Sequence, residues 1–405
     1  MPSYFDAHRL PRLLAAVGIV FLGFSPLPTT AATDTATGFR QAQPGPWGHL
    51  EYQAIYLTAP DAIMEDFPLP NPQPRWSFAG STPTATRAVL IDAGIDPAVC
   101  DRLFGDPRAK RDDEGVFTVY PTAADIEGLK PDVRTALYRQ LAKHPQNNFH
   151  HDPVLVPDGD VNTWLRGTNL PEHIVALVRQ LAWRDGDAVL FSDFRTLISH
   201  AGSDSEAKRW VRVLTRSRAF VAYLNVGPGD DLTTLRSYWS AGNRRKEALI
   251  MLNAASDLPG GSHLDLTHLL PALPRRLAYA YTTPEFERAG QTPNCHWTSL
   301  NFFNNTPQSI YLDLKLAASK VLEDYTRVTG APTYGDILFF LDENGNAFHS
   351  CVFLADELVF SKNGGNTVMP WVVTRLTDLK QLYLHGNDRA SIVTFRRRWA
   401  NDNAD

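Results

Sequence analysis

The sequence predicts an α+β protein: a helical stretch and a small α/β layer, then a C-terminal domain in which a cysteine-bearing helix packs on an antiparallel sheet. Three observations predict it. Helix-like and strand-like segments alternate from about residue 150 to 240. Three apolar runs, "GDILFFL", "AFHSCVFL" and "ELVFS", follow one another after residue 334, with the hairpin signal Asn344-Gly345 between the first two. Upstream of them stands a short segment with helical spacing, opened by Cys295.

Taken in order, residues 1–32 read as a secretory signal. Arg9 and Arg12 precede the apolar run Leu13–Phe24, and the small residues Ala31 and Ala32 close the segment. That run is shorter than the roughly 20 residues that span a bilayer, so a short membrane anchor is only the competing reading. Cleavage near Ala32 would leave an exported chain, periplasmic or extracellular, with no stable membrane insertion. Residues 33–78 are proline-rich, with one alternating strand in "HLEYQAIYLTAP". Residues 79–150 read as helical: "TPTATRAVLIDAGIDPAVCDRLFG" gives two short helices broken at "AGIDP", and "PDVRTALYRQLAKH" a third. Residues 151–289 form an α/β region. Its helices are "PEHIVALVRQLAW", "DSEAKRWVRVLTRS" and "DLTTLRSYW"; its strands are "GDAVLFSD" and "RAFVAYLNV". Residues 290–405 form the last domain. There Trp297, Leu300 and Phe303 share a helical face. Thr306-Pro307 is read as opening a second helix, with Ile310, Leu314, Ala317, Val321 and Tyr325 along one side and Gly330 and Pro332 ending it.

Composition narrows the function. The 405-residue chain is 43% hydrophobic and 20% charged, with net charge −5 and no long basic run, which argues against a nucleic-acid partner. Cys100, Cys295 and Cys351 are an odd number, so at least one thiol is unpaired within the chain. A Cys100–Cys351 bridge that frees Cys295 is one arrangement; buried, reduced cysteines are the other. "HPQNNFHHDP" gathers His144, His150, His151 and Asp152, but adjacent histidines without ligand spacing read as ordinary polar residues. No metal and no cofactor is expected.

Cys295, after Pro293-Asn294, is placed at a helix start, where the partial positive charge favours a thiolate. A small buried residue in an aromatic core is the alternative for it. His349, on a later strand, is the candidate base, and its ring needs an acceptor to fix the tautomer. A two-residue loop after "HSCVFL" sets Lys362 opposite His349. A longer loop or a bulge sets Asn363 there, with Ser361 on the same face. Asn363 is the expected third residue and Ser361 its alternative. His296, Trp297 and Cys351 are expected to line the substrate pocket.

"NCHWTSLNFF" followed by "YGDILFFLDENGNAFHSCVFLADELVFSKNG" resembles the core of the NlpC/P60-like cysteine peptidases, a branch of the papain-like fold. The likeness covers roughly residues 290–375. His296 and Trp297 stand where that family commonly has small residues. The resemblance implies Cys295 as nucleophile, Gly335-Asp336 as strand entry, His349 as base and Asn363 or Ser361 as the third member. It also implies a thiol hydrolase acting on amide bonds, with a peptide or cell-wall polymer as substrate. An inactive binding or scaffold protein on the same fold and a Cys–His acyltransferase are the alternatives. The sequence gives no sign of oligomeric state.

Overall fold

The computed structural model describes residues 38–65, 67–283, 292–385 and 389–399; the leader expected over residues 1–32 lies outside them. The fold is mixed α+β, and the strand pairings among the described residues are antiparallel. Two compact units emerge. One runs from Thr58 to Arg216; the other joins the chain up to Leu57 with the chain from Ser217 onward. These divisions differ from the expected ones at 78, 150 and 289. The reason is one long-range pairing. His49–Leu57 and Ser217–Val226 form a continuous ladder from His49↔Asn225 to Leu57↔Ser217, so the first unit is an insertion between two partnered strands. Each strand is legible locally, but their partnership across the insertion is not.

In the first unit, the region expected to be helical also carries a three-stranded sheet of Trp76–Ala79, Val116–Val119 and Lys110–Arg111. A second small sheet joins Val154–Leu155, Ala188–Phe191 and Trp183–Asp185. The helices Pro83–Asp92 and Pro97–Gly105 start where Thr82 and Asp96 side chains cap the backbone ahead of a proline. Pro131–Leu141, Glu172–Leu181 and Asp204–Leu214 are the other long helices here.

The second unit holds two sheets. The first contains Arg40–Gln41, His49–Leu57, Ser217–Val226 and Ser262–Asp265 in that order. The second runs Tyr325–Val328, Ser391–Arg397, Ile337–Leu341, Ala347–Ala355, Leu358–Lys362, Trp371–Arg375. Leu224 and Leu252 share one apolar core with Trp297, Phe339 and Phe360, so both sheets and the helix Cys295–Leu300 are sealed by the same interior. The opposite face of the six-stranded sheet, with Leu338, Phe340, Cys351, Phe353 and Val359, is covered by Leu379 of the helix Leu376–Leu384.

The meander expected from three apolar runs is the centre of this sheet. Gly345, at φ 78°, makes the first turn. The second has a two-residue loop, Asp356-Glu357, together with a bulge between Phe353 and Ala355. Two other expectations shift. Asp313 rather than Thr306 caps the later helix, because its Oδ1 accepts from the N–H groups of Lys315 and Leu316; the helix is Leu314–Asp324. Tyr325 begins a strand instead of extending that helix, since Ser391–Arg397 pairs with it. The three cysteines are free. A Cys100–Cys351 bridge does not form, because each of the two is fully buried in the interior of a different unit.

Candidate active site around Cys295

The helix that carries Cys295 begins where Asn294 caps it. Asn294 is extended, and its Oδ1 accepts from the Trp297 N–H at 2.8 Å. Three contacts seat the helix on the sheet. His296 Nδ1 lies 2.9 Å from Ser350 Oγ, Ser350 Oγ donates to Ser299 Oγ at 3.1 Å, and Trp371 Nε1 donates to Thr298 Oγ1 at 2.9 Å. With the Ser350 hydroxyl donating to Ser299, it accepts from His296, which fixes the His296 proton on Nδ1.

Cys295 is 5% exposed. Burial pushes its thiol up to about 11, against the pull of the Ser350 and His296 backbone N–H groups and the Lys362 charge. The sequence argument expected the helix start to lower it. A six-residue helix supplies little dipole, and desolvation outweighs it.

His349 is fully buried one position before Ser350, so its ring points to the other face of the strand. There it stacks on Tyr383, 3.9 Å between centroids and 16° between planes, with Phe340 edge-on at 5.3 Å. Nε2 lies 3.2 Å from Ser361 Oγ, and Ser361 Oγ donates to Asn363 Oδ1 at 3.4 Å. With that hydroxyl donating to Asn363, His349 Nε2–H donates to Ser361. Nδ1 then carries the lone pair, and it is buried with no hydrogen-bond partner. Burial, then the His296 charge, holds the imidazole well below its ordinary value, so the ring is neutral. The bulge explains the geometry: the ladder runs through Val352↔Phe360, which continues to His349 at the level of Asn363 and not of Lys362. The two residues weighed as alternatives for the third position stand in series.

Lys362 occupies the helix side of the same strand. It is fully buried, with Nζ donating to the carbonyls of Asn366 at 2.8 Å and Met369 at 2.9 Å, over the Trp371 ring. Burial brings its ammonium down to about 7, and the Cys295 charge opposes that fall. Cys351, expected to line a pocket, is instead fully enclosed by apolar side chains, and burial raises its thiol. Trp297 at 3% exposure and His296 at 0% are likewise packed inside. An amphipathic helix buries its inner face, and here all six residues of the helix are buried.

No hydrogen bond joins Cys295 to His349 among the described residues. Cys295 does lie within electrostatic reach of Cys351, Lys362 and Tyr383. No family model, curated protein or solved structure matches the chain. Lys362 as a neighbour of the thiol and Tyr383 as the platform under His349 escaped the sequence reading. The first depended on the strand register, and the second on a distant helix with no motif of its own.

The histidines of "HPQNNFHHDP" have other partners. His144 Nδ1 accepts from the Ala79 N–H, His151 Nδ1 meets the Ala142 carbonyl, and His150 is buried edge-on to Tyr138. Among the described residues no group of three metal-ligating side chains is assembled.

Proposed function

We propose that the second unit is a thiol hydrolase of amide bonds, of the papain-like, NlpC/P60-like kind, exported by the leader pattern of residues 1–32. The observation that carries this reading is the neutral, oriented His349: its Nε2 is held through Ser361 and Asn363, and its Nδ1 has an unused lone pair. Both the thiol and the imidazole are held neutral, so the reaction is general-base catalysis, not attack by a resting thiolate–imidazolium pair. The Cys295 sulfur bonds to the amide carbon as its proton passes to His349. His349 returns that proton to the departing amine as the C–N bond breaks, leaving a thioester. Water then attacks the thioester carbon, giving a proton to His349, which passes it to the sulfur as the C–S bond breaks and the carboxylic acid leaves. The backbone N–H of Cys295 serves as an oxyanion donor. Peptide amides of a cell-wall polymer are the substrate class that fits the resemblance.

The test is a thioester adduct on Cys295, sought by mass spectrometry after mixing with amide-bearing wall peptides. The reading expects an adduct in the native protein, slowed about 10²–10⁴-fold by His349→Ala. A second reading, a binding protein on the same fold, is favoured by the 5% exposure of Cys295. Iodoacetamide labelling that appears only on unfolding, with no adduct, would decide for it.

A further inference from the structure

The first unit holds a cavity of about 20 Å³, lined from the start of the strand Trp76–Ala79 and from the helices Asn148–His151 and Phe194–Ser199. It has room for a group about the size of one or two waters. Four buried side-chain atoms on its lining residues have no hydrogen-bond partner: Trp76 Nε1, Thr196 Oγ1, His150 Nε2 and Gln146 Oε1. Leaving a buried polar atom unpaired is costly, so four around one space mark a place built for a polar occupant.

All four can act as donors. The indole N–H does nothing else, and the Thr196 hydroxyl can turn its hydrogen inward. Burial, then the Arg195 charge, brings His150 down to about 3, so its ring is neutral and can carry its proton on Nε2. Rotating the Gln146 amide exchanges its oxygen for the NH₂ group.

The charges on the lining set the sign of the occupant. Arg75 and Arg195 both line the cavity, and neither has a carboxylate partner among the described residues. Arg195 gives Nη1 to the Asn71 carbonyl at 2.6 Å, which leaves Nε and Nη2 unassigned. Burial, then the Arg75 charge, brings its guanidinium down to about 10. Asp193 is the single carboxylate of the lining. Its Oδ2 accepts from the Tyr138 hydroxyl at 2.7 Å, and burial raises it to about 6. Two guanidiniums therefore stand against one carboxylate that burial already drives toward its neutral form.

We propose that this cavity binds a small monovalent anion of the size of chloride. The Arg195 guanidinium, the Trp76 N–H and the Thr196 hydroxyl would hold it, with the exposed Arg75 beside them. The site belongs to the first unit and is independent of the thiol chemistry of the second. The probe is chloride, followed in the full chain by quadrupolar line broadening in NMR. Bromide is the competitor, and gluconate, too large for the cavity, is the ionic-strength control. Bromide should displace chloride saturably and gluconate should not. In crystals grown with bromide, an anomalous-scattering peak should lie within hydrogen-bond distance of Trp76 Nε1. Arg195→Gln should weaken chloride at least about 10-fold, and Thr196→Val, which keeps the shape without the hydroxyl, several-fold. Should Arg195→Gln fail to fold, Thr196→Val with a wild-type melting temperature carries the comparison. Absence of saturable displacement, a water alone at the site in the bromide crystals, or chloride binding indifferent to Thr196→Val would overturn the proposal.

Discussion

Burial acts on Cys295, His349 and Lys362 in one direction: each is driven toward its uncharged form. For Cys295 this predicts slow alkylation. At pH 8 a thiol raised to about 11 reacts roughly 100-fold more slowly than an ordinary cysteine, and its rate should climb steadily toward pH 11. Mass-resolved iodoacetamide labelling of the native protein measures it; a plateau below pH 9 would contradict the burial argument. Lys362 predicts a stability trend of known sign. Its ammonium releases its proton near 7 in the fold but near 10.4 in the unfolded chain, so between those values the unfolded state binds more protons. Stability therefore rises with pH from about 7. Above about 8.5 Cys295 opposes the trend, because the unfolded thiol ionises while the folded one does not. Urea midpoints should increase between pH 7 and 8.5, and Lys362→Met should flatten that slope. Residue type and position alone single out Cys295 and His349 as candidates. Their protonation states are not legible there, because these depend on how completely distant side chains cover them.

The elements that hold this cluster are short, and their ends carry much of the specification. Asn294→Ala removes the side chain that satisfies the Trp297 N–H and should cost about 1 kcal/mol in chemical denaturation. Gly335 matters more. It sits at φ +88°, and a Cβ there would overlap the Phe303 ring. Gly335→Ala should thus cost about 2–4 kcal/mol, read as a drop in melting temperature, whereas Gly330→Ala, which has open space, should move it little. Strands and helices of the centre were readable from periodicity and turn residues. The bulge after Phe353 was readable only as one of two options, yet it decides that Ser361 and Asn363, not Lys362, serve His349. The strands Tyr325–Val328 and Ser391–Arg397 were missed, since the first continues an apolar helical spacing and the second has its partners far away in sequence.

For the whole molecule, the pairing Leu57↔Ser217 places the two ends of the inserted unit side by side. Replacing residues 58–216 with an Asn-Gly turn should leave the second unit folded, with a cooperative thermal transition and the same protection of Cys295. Residues 290–405 alone should not fold cooperatively, because their apolar core is completed by Tyr52, Phe220 and Leu224 from outside that range. Circular dichroism melts of the two proteins separate the outcomes. The expected boundary at 289 failed for this reason: composition changes there, but the interior does not. The same hairpin has a consequence during synthesis. At about 5–20 residues per second, the alternating strand His49–Leu57 leaves the ribosome roughly ten to thirty seconds before Ser217–Val226 is made. Throughout that wait its unpaired edge is open to wrong partners. An inserted unit that folds first brings Leu57 and Ser217 together as Ser217 appears, so it works as a clasp on the nascent chain. The shortened variant, whose partner strand follows after two residues, has no such wait and should be the less aggregation-prone when translated slowly.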